Sequence, residues 1–210
     1  MKILKFENKE SWMLARRGKI TGSRLKDIVV KRGTGYKLGY YELIAERLAI
    51  SPDNEDPMAR GTRLEPEAIE RFKKETGKKV NTDLVIWTHE ENESIAVSPD
   101  GTIGKTEAVE CKCLSSARHL EAFLTQTVPS EYEMQATQYF IVNEKLKKLY
   151  LVFYDPRIQS KDYFVLELKR EELKEDIAQY LEYQKNILLE VDKIEFLDRR
   201  TLNTVFSVFH

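Results

Sequence analysis

Apolar positions along the chain follow two regimes. Up to Gly77 they recur every three or four residues, the period of a helix face. A first helix is predicted over Ser11 to Arg17, with Ser11 as N-cap before Trp12 and Leu14 and Gly18 ending it. A second starts near Thr21–Ser23; Leu25, Ile28 and Val29 keep its period until Gly33-Thr34-Gly35 breaks it. Tyr40 to Leu48 and Glu65 to Thr76 follow, the latter closed by Gly77 at the C′ position.

After Gly77 the period falls towards two. Val80 to Thr88, Ser94 to Val97, Thr106 to Cys111, Leu149 to Tyr154 and Tyr163 to Leu168 read as strands. A helix over Glu131 to Val142, behind Pro129, separates the third strand from the fourth. A charged helix from Glu171 to Val191 comes last, and the tail Thr201 to His210 reads as a short apolar strand. This order implies an α/β or α+β fold, a central sheet flanked by helices. No linker divides it, so one domain is expected over residues 1–210. Its parts are a helical segment 1–50, a core 51–170 and a C-terminal helix and tail 171–210.

Composition narrows the class. A chain of 210 residues with ten Tyr, nine Phe and two Trp can bury a core and is no disordered segment. Its two cysteines, Cys111 and Cys113, are too close for a useful disulfide and too few for a zinc or iron–sulfur site. The three histidines have no ligand spacing and are expected at the surface. No apolar run has membrane length and the start lacks a signal-peptide core, so a soluble, intracellular protein is expected.

The net charge of −1 hides an asymmetry. The first 40 residues hold 11 Lys/Arg and 3 Asp/Glu, a net of +8, and the remainder carries −9. A basic block on an acidic body can steer a polyanion to one face.

The candidate chemistry lies in Ser98-Pro99-Asp100-Gly101 and Glu110-Cys111-Lys112. Asp100 falls in a turn at a strand end. Glu110 and Lys112, at i and i+2 of one strand, point to the same face. Their neighbours Ala108, Val109, Cys111 and Leu114 make that strand central, and buried charges need partners or a metal. Asp100 and Glu110 with a backbone carbonyl suit Mg²⁺ or Mn²⁺, and Lys112 can orient an attacking water at a phosphate.

Further pieces extend the pattern: Trp12-x3-Arg16-x-Gly18-x-Ile20-Thr21-x-Ser23, Arg60-Gly61-x3-Glu65, Pro129-x2-Tyr132-x2-Gln135-x2-Gln138 and Tyr154-Asp155-Pro156-Arg157. Taken in order, the set resembles the lambda-exonuclease/YqaJ-like viral recombinase family of the PD-(D/E)XK nuclease superfamily. The resemblance implies a restriction-endonuclease-like mixed sheet. It also implies an exonuclease digesting one strand of linear duplex DNA from its 5′ end. On this resemblance Asp100 and Glu110, with the carbonyl of Cys111, hold Mg²⁺ (Mn²⁺ as substitute), two ions per site. Lys112 positions the water, Glu65 approaches the metals, and Gln135 comes from the helix across the site. Arg16, Ser23 and Ser98 grip a 5′ phosphate, and Met58 is placed as a wedge at the end base pair. The expected partners are DNA ends, two further copies in a ring-shaped homotrimer, and a single-strand-annealing protein, in a bacterial cytoplasm and of phage or prophage origin. A structure-selective or site-specific endonuclease would share the metal residues. A non-catalytic DNA-end-binding module would need only the basic face.

Overall fold

The computed structural model describes residues 7–16, 19, 25–30, 35–48 and 55–207; Ser23 and Thr21 lie outside these, as do the side chains of Trp12 and of residues 194–207. The elements in chain order are α1 (Lys9–Arg16), α2 (Leu25–Ile28), α3 (Leu38–Leu48), α4 (Pro57–Thr76), β1 (Trp87–His89), β2 (Asn92–Val97), β3 (Gly101–Ile103), β4 (Glu107–Lys112), α5 (Ser116–Thr125), α6 (Ser130–Val142), β5 (Lys148–Tyr154), β6 (Tyr163–Lys169) and α7 (Lys174–Ser207).

Four strands form a mixed sheet in the order β3-β4-β5-β6. The β4–β5 pair is parallel, with Glu110 opposite Leu151 and Lys112 opposite Phe153, and the outer pairs are antiparallel. Strand alternation splits β4 and β5 between two cores. On one face Leu64, Ala68, Ile69 and Phe72 of α4 pack on Val109, Cys113, Tyr150 and Val152. On the other, Ala136, Tyr139 and Phe140 of α6 pack on Ala108, Leu149, Leu151 and Phe153. Phe72 and Phe153 are wholly buried, and truncating either to Ala would cost about 3–5 kcal/mol. The β1–β2 hairpin stands apart and is covered by α6 and α7, with Ile95 against Ile141 and Val142.

Several expected boundaries move. Asn8, not Ser11, caps α1, its Oδ1 accepting from Ser11 N–H at 2.8 Å. Helix α4 begins well before Glu65: the Asp56 carboxylate accepts from Met58 and Ala59 N–H with Pro57 in the first turn. Pro66 imitates a helix start but lies inside the helix. Gly77 ends α4 as expected, in the left-handed region at φ 67°. The stretch predicted as a strand over Val80 to Thr88 is strand only from Trp87; before it, Asn81 makes a single bridge to Thr102. Helix α5, capped by Ser115, was not anticipated. The backbone of α7 stays helical through Ser207, which overturns the strand expected in the tail. His89 and His119 are buried, against the surface positions expected.

Candidate active site

Strand β4 runs through the middle of the sheet, so its side chains are shielded on both faces. Glu110 and Lys112 are 6% and 8% exposed, and each finds a partner in the other: Lys112 Nζ donates to Glu110 Oε1 at 2.8 Å. Helix α6 supplies the rest. Gln135 Nε2 donates to the same Oε1 at 2.8 Å, while Gln135 Oε1 accepts from Lys112 Nζ at 2.7 Å. One turn on, the buried Tyr139 hydroxyl makes a short hydrogen bond to Glu110 Oε2 and lies 3.1 Å from the Ser98 carbonyl. One turn back, the Tyr132 ring sits 4.4 Å from Lys112 Nζ, a cation–π contact that shares the ammonium charge. The buried pair is thus hydrogen-bonded all round, the condition under which such a pair is tolerated.

Asp100 approaches from the turn before β3. Its Oδ2 accepts from Cys111 N–H at 2.7 Å, which pins the turn to β4. The next residue, Gly101, lets Val80 pack against the start of β3, because a Cβ there would lie 2.4 Å from Val80 Cγ1. Glu65 comes from α4 on the opposite side. Burial first, then the charge of Glu110, raises the Asp100 carboxyl from 3.8 to about 7. The same causes in the same order raise Glu65. Three carboxylates thus crowd one lysine. Glu65, Ser98 and Asp100 line a cleft of about 680 Å³ whose outer wall is Thr82, Asp83, Leu84, Val85 and Ile86.

The motif arginines do different work. Arg60, buried in α4, donates from Nε to the Cys113 carbonyl at 3.0 Å. Arg157 donates to the Leu114 carbonyl at 3.1 Å and pairs with buried Asp155 at 2.7 Å. Ser116 Oγ completes this network through Asp155 Oδ2 at 2.6 Å. Together they anchor the end of β4 and so fix where Glu110 and Lys112 stand.

The structure brings Glu65, Asp100, Glu110, Lys112 and Gln135 to one locus, with the Cys111 backbone between them. Ser98 joins the cleft, and its carbonyl faces Tyr139. Arg16 closes α1, half-buried, and does not line the cleft. Ser23 is outside the described residues. Met58 is exposed in the first turn of α4. Gln138, expected on the face of Gln135, turns away to Gln184 of α7 at 2.9 Å. Tyr139 takes that place and was missed, although its i+4 spacing from Gln135 was visible. Both cysteines are free thiols; burial pushes Cys113 up to about 12 and Cys111 well above its usual value, which disfavours the nucleophilic thiolate. Among the described residues no three His, Cys, Asp or Glu side chains form a ready metal cage.

Fold and site define a class: an α+β protein whose central mixed sheet carries a glutamate and a lysine on one strand, with an aspartate in the turn before its neighbour, closed by a helix glutamine. The chain belongs to the YqaJ-like viral recombinase domain family, whose model matches residues 11–145. Among solved structures it is similar to LHK-Exo in complex with dAMP, at 31% identity and TM-score 0.61, over 93% of this chain and 99% of that one. It is equally similar to the alkaline exonuclease LHK-Exo from Laribacter hongkongensis, at 30% identity and TM-score 0.61, with the same coverage. No curated protein matches the chain.

Proposed function

We propose that the protein is a divalent-metal-dependent exonuclease that digests one strand of linear duplex DNA from the 5′ end, leaving 3′ overhangs for strand annealing. The observation that carries this reading is the convergence of two groups: Glu110, Lys112 and Gln135 are hydrogen-bonded together, and Glu65 and Asp100, which line the cleft, feel the charge of Glu110. Family membership and the exonuclease neighbours, one of them holding a deoxynucleoside monophosphate, support it.

The donor set fits Mg²⁺ or Mn²⁺. Asp100 keeps one carboxylate oxygen unengaged by the described residues, and burial first, then the charge of Glu110, raises both Asp100 and Glu65, a setting that a cation would relieve. Mg²⁺ takes one or two protein carboxylates plus substrate phosphate and water, so a complete protein cage is not required. Asp100, Glu110 and the Cys111 carbonyl would hold it, with Glu65 reaching a second ion or its water. When bound, it supplies Lewis-acid polarisation of the phosphoryl oxygen and charge neutralisation. Lys112, held by Glu110 and Gln135, orients the attacking water and faces the developing phosphate charge. Gln135 fixes both side chains. Arg16, Ser23 and Ser98 grip a 5′ phosphate, as a guanidinium and hydroxyls can, and Met58 wedges the end base pair. A homotrimeric ring around DNA and a single-strand-annealing partner in a phage-derived setting complete the reading.

The test is end-labelled linear duplex, with and without a 5′ phosphate, beside closed circular duplex, in Mg²⁺ or EDTA. Mg²⁺-dependent loss of 5′ label from the linear substrate alone is expected. Cutting of the circle would show an endonuclease instead. Lys112→Gln, which keeps a donor for Glu110, should fold and bind DNA yet cleave at least a hundredfold more slowly. Cleavage by this variant at the parental rate would remove Lys112 from the chemistry.

A further inference from the structure

Between the Asn81–Thr102 bridge and β1 the chain places three apolar residues in a row and leaves them in water. Leu84 is fully exposed, Ile86 is 70% and Val85 36% exposed. None belongs to any of the hydrophobic clusters of the described residues. A contiguous apolar stretch left outside every core marks a contact surface.

Its position identifies what it contacts. All three residues line the same cleft as Glu65, Ser98 and Asp100. A strand whose phosphodiester met those carboxylates would pass residues 84–86. The sugar–phosphate backbone is polar and anionic; the apolar part of a nucleotide is the face of its base. Aliphatic side chains are used against bases elsewhere, as wedges between base steps and as walls for extruded bases. The cleft's 680 Å³ falls within the roughly 300–1,000 Å³ of small-ligand pockets, room for a nucleotide or two of single strand.

We propose that Leu84 and Ile86 form a base-packing subsite that holds the nucleobases of the strand being cut while its phosphate meets Asp100 and Glu65. The proposal rests on the nuclease reading and adds a grip on bases to it. Packing on a base face is tolerant of sequence, which is what an enzyme consuming any strand requires.

The test compares the parent with Leu84→Ser/Ile86→Ser in single-turnover release of terminal nucleotides. The substrate is a linear duplex whose last three residues, at both ends of both strands, are ordinary or abasic. Both substitutions lie on exposed positions, and thermal melts verify the fold. On ordinary ends the double variant should need about tenfold more DNA for half-maximal rate; on abasic ends the two proteins should differ less than twofold. An equal loss on both substrates, or no loss on either, overturns the subsite. A fall in assembly mass by light scattering also overturns it, because the face would then be a contact between copies. If the parent itself releases no nucleotide, the nuclease reading fails, a result read from the parent alone.

Discussion

Replacing Asp100 by Asn removes a charge while keeping the shape and the acceptor for Cys111 N–H, so it isolates the electrostatics of the cluster. In the metal-free protein, burial and then Glu110 lift the Asp100 carboxyl from 3.8 to about 7. The folded state then binds a proton that the unfolded chain has released. A raised folded value stabilises fully below about pH 4 and loses that contribution as pH climbs to about 7. Each pH unit in the interval is worth about 1.4 kcal/mol, which puts the decline at no more than about 4 kcal/mol; Glu110 and Glu65 share the repulsion, so about 2–4 kcal/mol is expected. Asp100→Asn lacks this slope. With EDTA present it should be more stable than the parent at pH 8 by that margin, and nearly equal at pH 4. Urea unfolding followed by circular dichroism at both pH values measures the difference. Mg²⁺ at pH 8 should raise the parent's midpoint and leave the variant's nearly unchanged, as expected of a ligand bound by the native state alone. A parent-to-variant difference that stays constant between pH 4 and pH 8 would refute the buried repulsion.

Other variants probe neighbouring links. Tyr139→Phe keeps the buried ring but removes the donor to Glu110, so stability should drop by about 1–2 kcal/mol and kcat should fall more than KM rises, measured by unfolding and steady-state digestion. Arg16→Gln should slow digestion of 5′-phosphorylated ends at least tenfold more than of 5′-hydroxyl ends; equal slowing would take Arg16 out of the phosphate pocket. Gly61→Ala should stabilise α4 by about 0.5–1 kcal/mol, since its Cβ would meet nothing within 4 Å. A slower cleavage despite that gain would show that the gap one turn before Glu65 is where DNA passes.

The site was more legible in the sequence than its frame. Asp100, Glu110 and Lys112 announce themselves because charged residues interrupt an apolar strand, and a central strand tolerates that only with partners. Gln135 and Glu65 followed from motif order. Tyr139 was hidden because tyrosine in an apolar helix reads as core, and only the hydroxyl's contact with Glu110 separates the two roles. Helix α4 was shortened by Pro66, which mimics a first turn, while the Asp56-Pro57 start lay unread upstream. The residues before Trp87 alternate like a strand, but among the described residues no neighbouring edge pairs with them beyond Asn81, so propensity alone could not decide. Helix α5 escaped because Ser115 caps a stretch following directly on β4.

Strand β4 carries one further consequence, for register. Val109 and Cys111 face the α4 core, whereas Glu110 and Lys112, between and beyond them, build the candidate site on the α6 face. A slip of one position against β5 would drive Glu110 and Lys112 among Leu64, Ile69 and Phe72 and turn Val109 and Cys111 towards Gln135. Such a chain would strand two charges without partners and could not hold its shape. The register that buries the α4 core and the register that assembles the Glu110–Lys112–Gln135 network are therefore one and the same, so loss of the network and loss of the fold should come together.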